Sequence, residues 1–153
     1  MSDILKPNHE VIKAATLKAF TGRVKDDEVN RFLDAMVSTK VPPPIGATAS
    51  LTFLIYGVVK CEPRDKPWMF DENVWGAGAS AISSVGFMYT AYENWDAFFT
   101  LTTGFHVQGI AYEGGIFQIN WFNKSGVPIG QFNGAAGGIA LFEAGGKGTW
   151  KKK

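Results

Sequence analysis

Residues that could carry catalysis are few in this chain, and their spacing does not assemble them. His9 and His106 are the only histidines. His106 stands between Phe105 and Val107 and shares an alternating face with Gln108, so a core or surface imidazole is a plainer reading than a general base. Zinc wants several nitrogen or sulfur donors. Cys61, the single cysteine, is far from His106 in sequence, and no second histidine lies near. Carboxylates pair as Asp71/Glu72 and Glu93/Asp96, next to turns where acidic side chains are ordinarily solvated, and Glu113 and Glu143 read as structural. The serines of Ala79-Ser80-Ala81, Ser83-Ser84 and Lys124-Ser125-Gly126 lack the G-x-S-x-G of a nucleophile elbow. Gly76-Ala77-Gly78-Ala79-Ser80-Ala81 opens like a G-x-G-x-x-G phosphate loop but ends in alanine with no helix following. No catalytic residue, metal or cofactor is assigned.

Surface chemistry offers more. Trp68, Phe70 and Trp75 follow Arg64 and Lys66 in a stretch read as a charged loop over 62–72, either plugging the fold or anchoring an interface. Lys147, Lys151, Lys152 and Lys153 make the C-terminus basic, suited to an anionic membrane or a protein partner. A net charge of +1 provides no overall field for nucleic acid.

The elements that must position these residues fall into two parts. Residues 8–20 form a short helix, with Asn8 as its cap and Gly22 as its stop. Residues 26–38 form a stronger one, capped by Asp26 or Asp27. Val29, Phe32, Leu33, Met36 and Val37 make an apolar stripe that must dock on the first helix, on the body of the protein, or on a partner. Lys40-Val41-Pro42-Pro43-Pro44 ends it. The organisation expected is a helical segment over 1–40, a proline-rich linker over 41–47 and a β domain over 48–153.

Within that domain the period changes to two. Nearly all of the 18 glycines fall after residue 45, interleaved with a 14% aromatic content. Strands are expected at about 49–60, 73–81, 84–91, 102–112, 116–122, 127–133, 138–144 and 147–151. Trp95, Phe98 and Phe99 fit a short helix plugging one end. Phe117, Ile119 and Trp121 face in, and Gln118 and Asn120 face out. Asn123-Lys124-Ser125-Gly126 is a turn, and Pro128 confines its strand to an edge, an end or a bulge. The fold class is mainly β: a small closed eight-stranded antiparallel barrel preceded by two short α-helices, with a two-sheet sandwich as the other architecture. No stretch of about 18 apolar residues spans a membrane as a helix. The opening residues do not read as a Sec signal, so the expectation is a cytoplasmic chain or one exported by a leaderless route.

Several segments resemble the virulence-associated protein family of intracellular actinobacterial pathogens. They are Val74-Trp75-Gly76-Ala77-Gly78, Trp95-Asp96 before a Thr-rich strand, Phe122-Asn123-x-x-Gly126-x-x-Ile129-Gly130-Gln131-Phe132, and Gly145-Gly146-Lys147-Gly148-Thr149-Trp150. The resemblance covers about residues 48–151. It implies a compact barrel of two interlocked Greek keys, no known catalytic residues, and action on host phagosomal or endosomal compartments after secretion. This chain departs from the family pattern in having ordered helices at 8–38 and no recognisable secretion signal. The resemblance suggests a non-enzymatic, effector-like barrel acting through a membrane or protein surface. Two alternatives remain open. One is a barrel holding an apolar ligand, with His106, Gln108 and Tyr112 lining its cavity. The other is an oligomer joined through residues 8–38.

Overall fold

The computed structural model describes residues 9–53, 56–77, 80–110, 115–135 and 142–153. Asn8, Tyr112, the Glu113-Gly114 turn and the 138–141 part of the seventh expected strand lie outside them. The described elements are α1 (His9–Phe20), α2 (Asp26–Met36), β1 (Ile45–Phe53), β2 (Tyr56–Pro63), β3 (Trp68–Ala77), β4 (Ser80–Thr90), α3 (Trp95–Leu101), β5 (Gly104–Ile110), β6 (Ile116–Phe122), β7 (Pro128–Ala135), β8 (Phe142–Lys147) and β9 (Trp150–Lys152).

All ladders are antiparallel, in the order β2-β1-β4-β7-β6-β5-β8-β3-β9, and β2 also pairs with β3. The sheet therefore curls round until its first strand meets its eighth. The halves β4-β1-β2-β3 and β8-β5-β6-β7 each place a fourth strand beside the first of a three-strand meander. Closure is thinnest on one side of β3. There Trp75–Ala77 pair with Glu143–Gly145, Trp68–Phe70 pair with Trp150–Lys152, and the partner strand breaks between.

Three expectations change. The described strands number nine, not eight, and the barrel is not fully closed where β3 meets β8 and β9 over three residues each. The single strand over 49–60 is a hairpin, β1 and β2, with Phe53 paired to Gly57. The loop over 62–72 is largely strand: Trp68 begins β3, and Asp71 pairs across with Lys60. The helical expectations hold more closely. α2 carries Asp26, Asp27 and Glu28 in its first turn, although its N-cap is Lys25 and no side chain caps it. Gly22 and Gly126 sit at φ 79° and 77°, the left-handed conformation glycine adopts at least cost.

The interior of the barrel is made of rings. α3, capped by Asn94 accepting from the Ala97 N–H, drops Trp95, Phe98 and Phe99 into one end. Phe98 meets Trp121 and Trp150 at 5.5 and 5.7 Å between ring centroids, and Phe70 meets Phe105 and Trp121 at 5.1 and 5.7 Å. Most of these pairs are tilted or edge-to-face, the arrangement that ring quadrupoles favour. Gly130 leaves room for this packing, since a Cβ there would collide with the ring of Phe98. On the outside, α1 and α2 meet through Phe20, Val29 and Phe32 and close over Phe122 and Ala91. The apolar stripe of α2 thus docks on both the first helix and the barrel, except Val37, which lies past the helix end and is exposed.

Candidate functional site

Strand alternation puts Phe105, Val107, Phe117, Ile119, Trp121 and Phe132 inside, so the residues between them point out. Those outward positions are not charged. His106, Asn120 and Gln131 form one cross-strand row, and Gln108, Gln118 and Asn133 the next. Helix α1 lies over both rows. Ile12 and Ala15 rest on Ile116 and Tyr89, while Ala19 and Phe20 rest on the α2 side. The five carboxamides and Thr16 of α1 are fully buried, and His106 is 6% exposed.

Buried amides must find partners, and these find one another. Gln108 Nε2 donates to Gln118 Oε1 at 2.7 Å and to the Ala15 carbonyl at 2.9 Å. Gln118 Nε2 donates to Asn133 Oδ1 at 2.8 Å, and Asn133 Nδ2 donates to Gln131 Oε1 at 2.7 Å. Gln131 Nε2 donates to Asn120 Oδ1 and to Thr16 Oγ1, both at 2.8 Å. Asn120 Nδ2 closes the mesh on Gln118 Oε1 at 3.0 Å. Thr16 passes its own proton to the Ile12 carbonyl at 2.7 Å. Its hydroxyl is thus spent on the helix and the strip, with no base positioned to activate it.

The edge of the strip is ionic. The Arg23 guanidinium, just beyond α1, binds Glu143 of β8, and Glu143 Oε1 lies 3.6 Å from His106 Nε2. That separation is too long for a hydrogen bond. Burial, reinforced by the positive charge of Arg23, pushes the His106 pKa down to about 4 against the opposing pull of Glu143. The imidazole is therefore neutral at physiological pH. Glu143 is held below the usual carboxylate range, mainly by its bond to Arg23. At the other end of the row, burial pushes the Tyr89 phenol up to about 12, so it stays protonated. Among the described residues, both His106 nitrogens, Gln108 Oε1 and Tyr89 OH have no hydrogen-bond partner, and no three metal-ligating side chains come together.

The expected site residues are therefore redistributed. His106 and Gln108 do come together, but on the outer face under α1, and they do not line the barrel interior. Tyr112 lies outside the described residues. Phe70 is not an exposed anchor: it is fully buried at the centre of the ring cluster. Trp68 is half-buried, stacked on Phe99 at 5.3 Å with Lys152 Nζ 5.3 Å from its ring centroid. Lys147, Lys151, Lys152 and Lys153 are exposed, and Lys153 Nζ lies 3.5 Å from Glu62. A separate groove of about 200 Å³ runs between α2 and the barrel, floored by Phe32, Ala91, Pro128 and Ile129 and rimmed by Glu28 and Arg31. The carboxamide strip is not among the sites expected from the sequence. Its signal was there: Gln108, Gln118, Asn120, Gln131 and Asn133 all occupy outward positions, without one lysine or glutamate among them.

The fold has solved counterparts. The virulence-associated protein VapB from the intracellular pathogen Rhodococcus equi superposes with a TM-score of 0.62 at 18% identity, covering 72% of this chain and 97% of its own. VapD from the same organism gives 0.61 at 18% identity, covering 71% and 96%. No curated protein sequence matches the chain. The family model described as Rhodococcus equi virulence-associated protein matches residues 6–151, taking in the helical segment as well as the barrel. The chain belongs to the Rhodococcus equi virulence-associated protein family.

Proposed function

We propose that this chain is a non-enzymatic, effector-like barrel that works by surface contact, with the lysine edge around Trp68 facing an anionic membrane. The observation that carries the reading is the placement of Lys152 against the Trp68 ring, next to exposed Lys151 on β9 and exposed Lys153 just after it. A half-buried indole among lysines suits a headgroup interface, where the ring takes the apolar boundary and each lysine adds about 1 kcal/mol near an anionic surface. The ring-filled interior and the amide strip, whose carboxamides hydrogen-bond chiefly to one another, also favour contact over catalysis.

Flotation with vesicles rich in phosphatidylserine tests this reading. The chain should float at low salt, lose most of its binding at high salt, and lose it when Lys147, Lys151, Lys152 and Lys153 are reversed to Glu. No flotation at low salt would overturn the membrane reading. A second reading, docking of a protein segment, is favoured by the apolar groove between α2 and the barrel. In that case Phe32 and Arg31 substitutions should weaken capture of the partner while leaving vesicle binding unchanged.

A further inference from the structure

We propose that helix α1 is an acid-released cover on the barrel, with His106 as the latch. The surface beneath α1 makes release feasible. Lifting α1 would bare carboxamides, which exchange amide–amide hydrogen bonds for bonds to water at little net cost. The barrel interior could not be opened this way, because its rings gain only by staying dry. The apolar contribution of α1 is modest, resting on Ile12, Ala15, Ala19 and Phe20. Release therefore detaches a piece without unfolding the whole.

The charges around His106 supply the trigger. Lys18 comes from α1, Arg23 from the turn after it and Glu143 from β8. Lys147 follows on β8, opposite Gly104. The neighbours across β6 and β7, Asn120 and Gln131, carry no charge, and Tyr89 on β4 stays neutral. Among the described residues the single facing carboxylate, Glu143, is already engaged by Arg23. A proton on the docked imidazole would add a buried cation beside exposed charges in which the cations already outnumber Glu143.

The direction follows from linkage. An exposed imidazole takes its proton near pH 6.5, whereas the docked one resists until about 4. The depressed value means that docking is fully stable above about 6.5 and loses stability as pH falls towards 4. At pH 5 the open-to-closed ratio should be roughly 30-fold higher than at pH 7.5, from the proton-binding difference between those two midpoints. Glu143, also depressed, acts in the same direction: its protonation frees Arg23.

The test is hydrogen exchange on the full chain, read residue by residue by NMR and corrected for intrinsic rates. From pH 7.5 to pH 5 the α1 amides should open about 30-fold more often, while the β6 amides keep their protection. His106→Gln should remove the rise, and His9→Gln should keep it. An α1 protection that is flat with pH, or the same rise in His106→Gln, would overturn the proposal. If His106→Gln fails to fold, the ring titration of His106 in the unsubstituted chain decides. A midpoint well below 6.5 while α1 is docked supports the latch, and a midpoint near 6.5 contradicts it.

Discussion

Strands β5, β6 and β7 have two buried faces built on different principles. Inside, Trp121 packs among Phe70, Phe98 and Trp150 with centroid separations of 5.1 to 5.7 Å. Outside, on the same strand, Gln118 and Asn120 are equally buried but hold their neighbours by hydrogen bonds. The inner face gains from excluding water, and that gain disappears only when the barrel opens. The outer face gains little net energy from each bond and loses much when one partner is missing. The difference assigns separate tasks. The inner face holds the barrel together, and the outer face seats a helix in one register without committing the barrel to it.

The largest effect should come from breaking the inner face. Trp121→Ala removes a fully buried ring and should cost about 3–5 kcal/mol, seen as a large fall in the urea midpoint of the whole chain. Gln118→Leu sharpens the contrast. It keeps the volume but strands Asn120 Nδ2 and Asn133 Oδ1, which should cost about 1–3 kcal/mol. That loss should appear as weaker protection of α1, with a much smaller change in the barrel's own midpoint. Arg23→Ala should have the smallest effect, about 0.2–1 kcal/mol on α1 docking, because its pair with Glu143 is exposed and screened. High salt should erase that difference, while it should leave the Gln118→Leu effect in place.

The barrel is legible because local chemistry and global fold agree over the described parts of residues 102–150. Gly126 at a left-handed turn, Pro128 at the β6–β7 bulge, and Trp95, Phe98 and Phe99 at helical spacing each point to their observed place. The 62–72 stretch misled because Asp71 and Glu72 look like a solvated run, and nothing local announces that Lys60 and Val59 will lie opposite them. The 49–60 stretch misled because an apolar run has no period to betray a hairpin. The outer strip was half legible. Gln118 and Asn120 do face outward, but on this face outward does not mean solvent. Only the docking of α1, a contact spanning 93 residues from Ala15 to Gln108, turns that polar face into a buried one.

Helix α1 is a separate unit seated on an intact barrel. Native-state hydrogen exchange at neutral pH, measured across increasing urea below the unfolding transition, tests that most directly. The α1 amides should exchange through an opening of lower free energy and shallow urea dependence, and the Phe117–Trp121 amides only through global unfolding with its full urea dependence. If the two sets share one free energy and one slope, helix and barrel are a single cooperative body, and the division between the two faces is wrong.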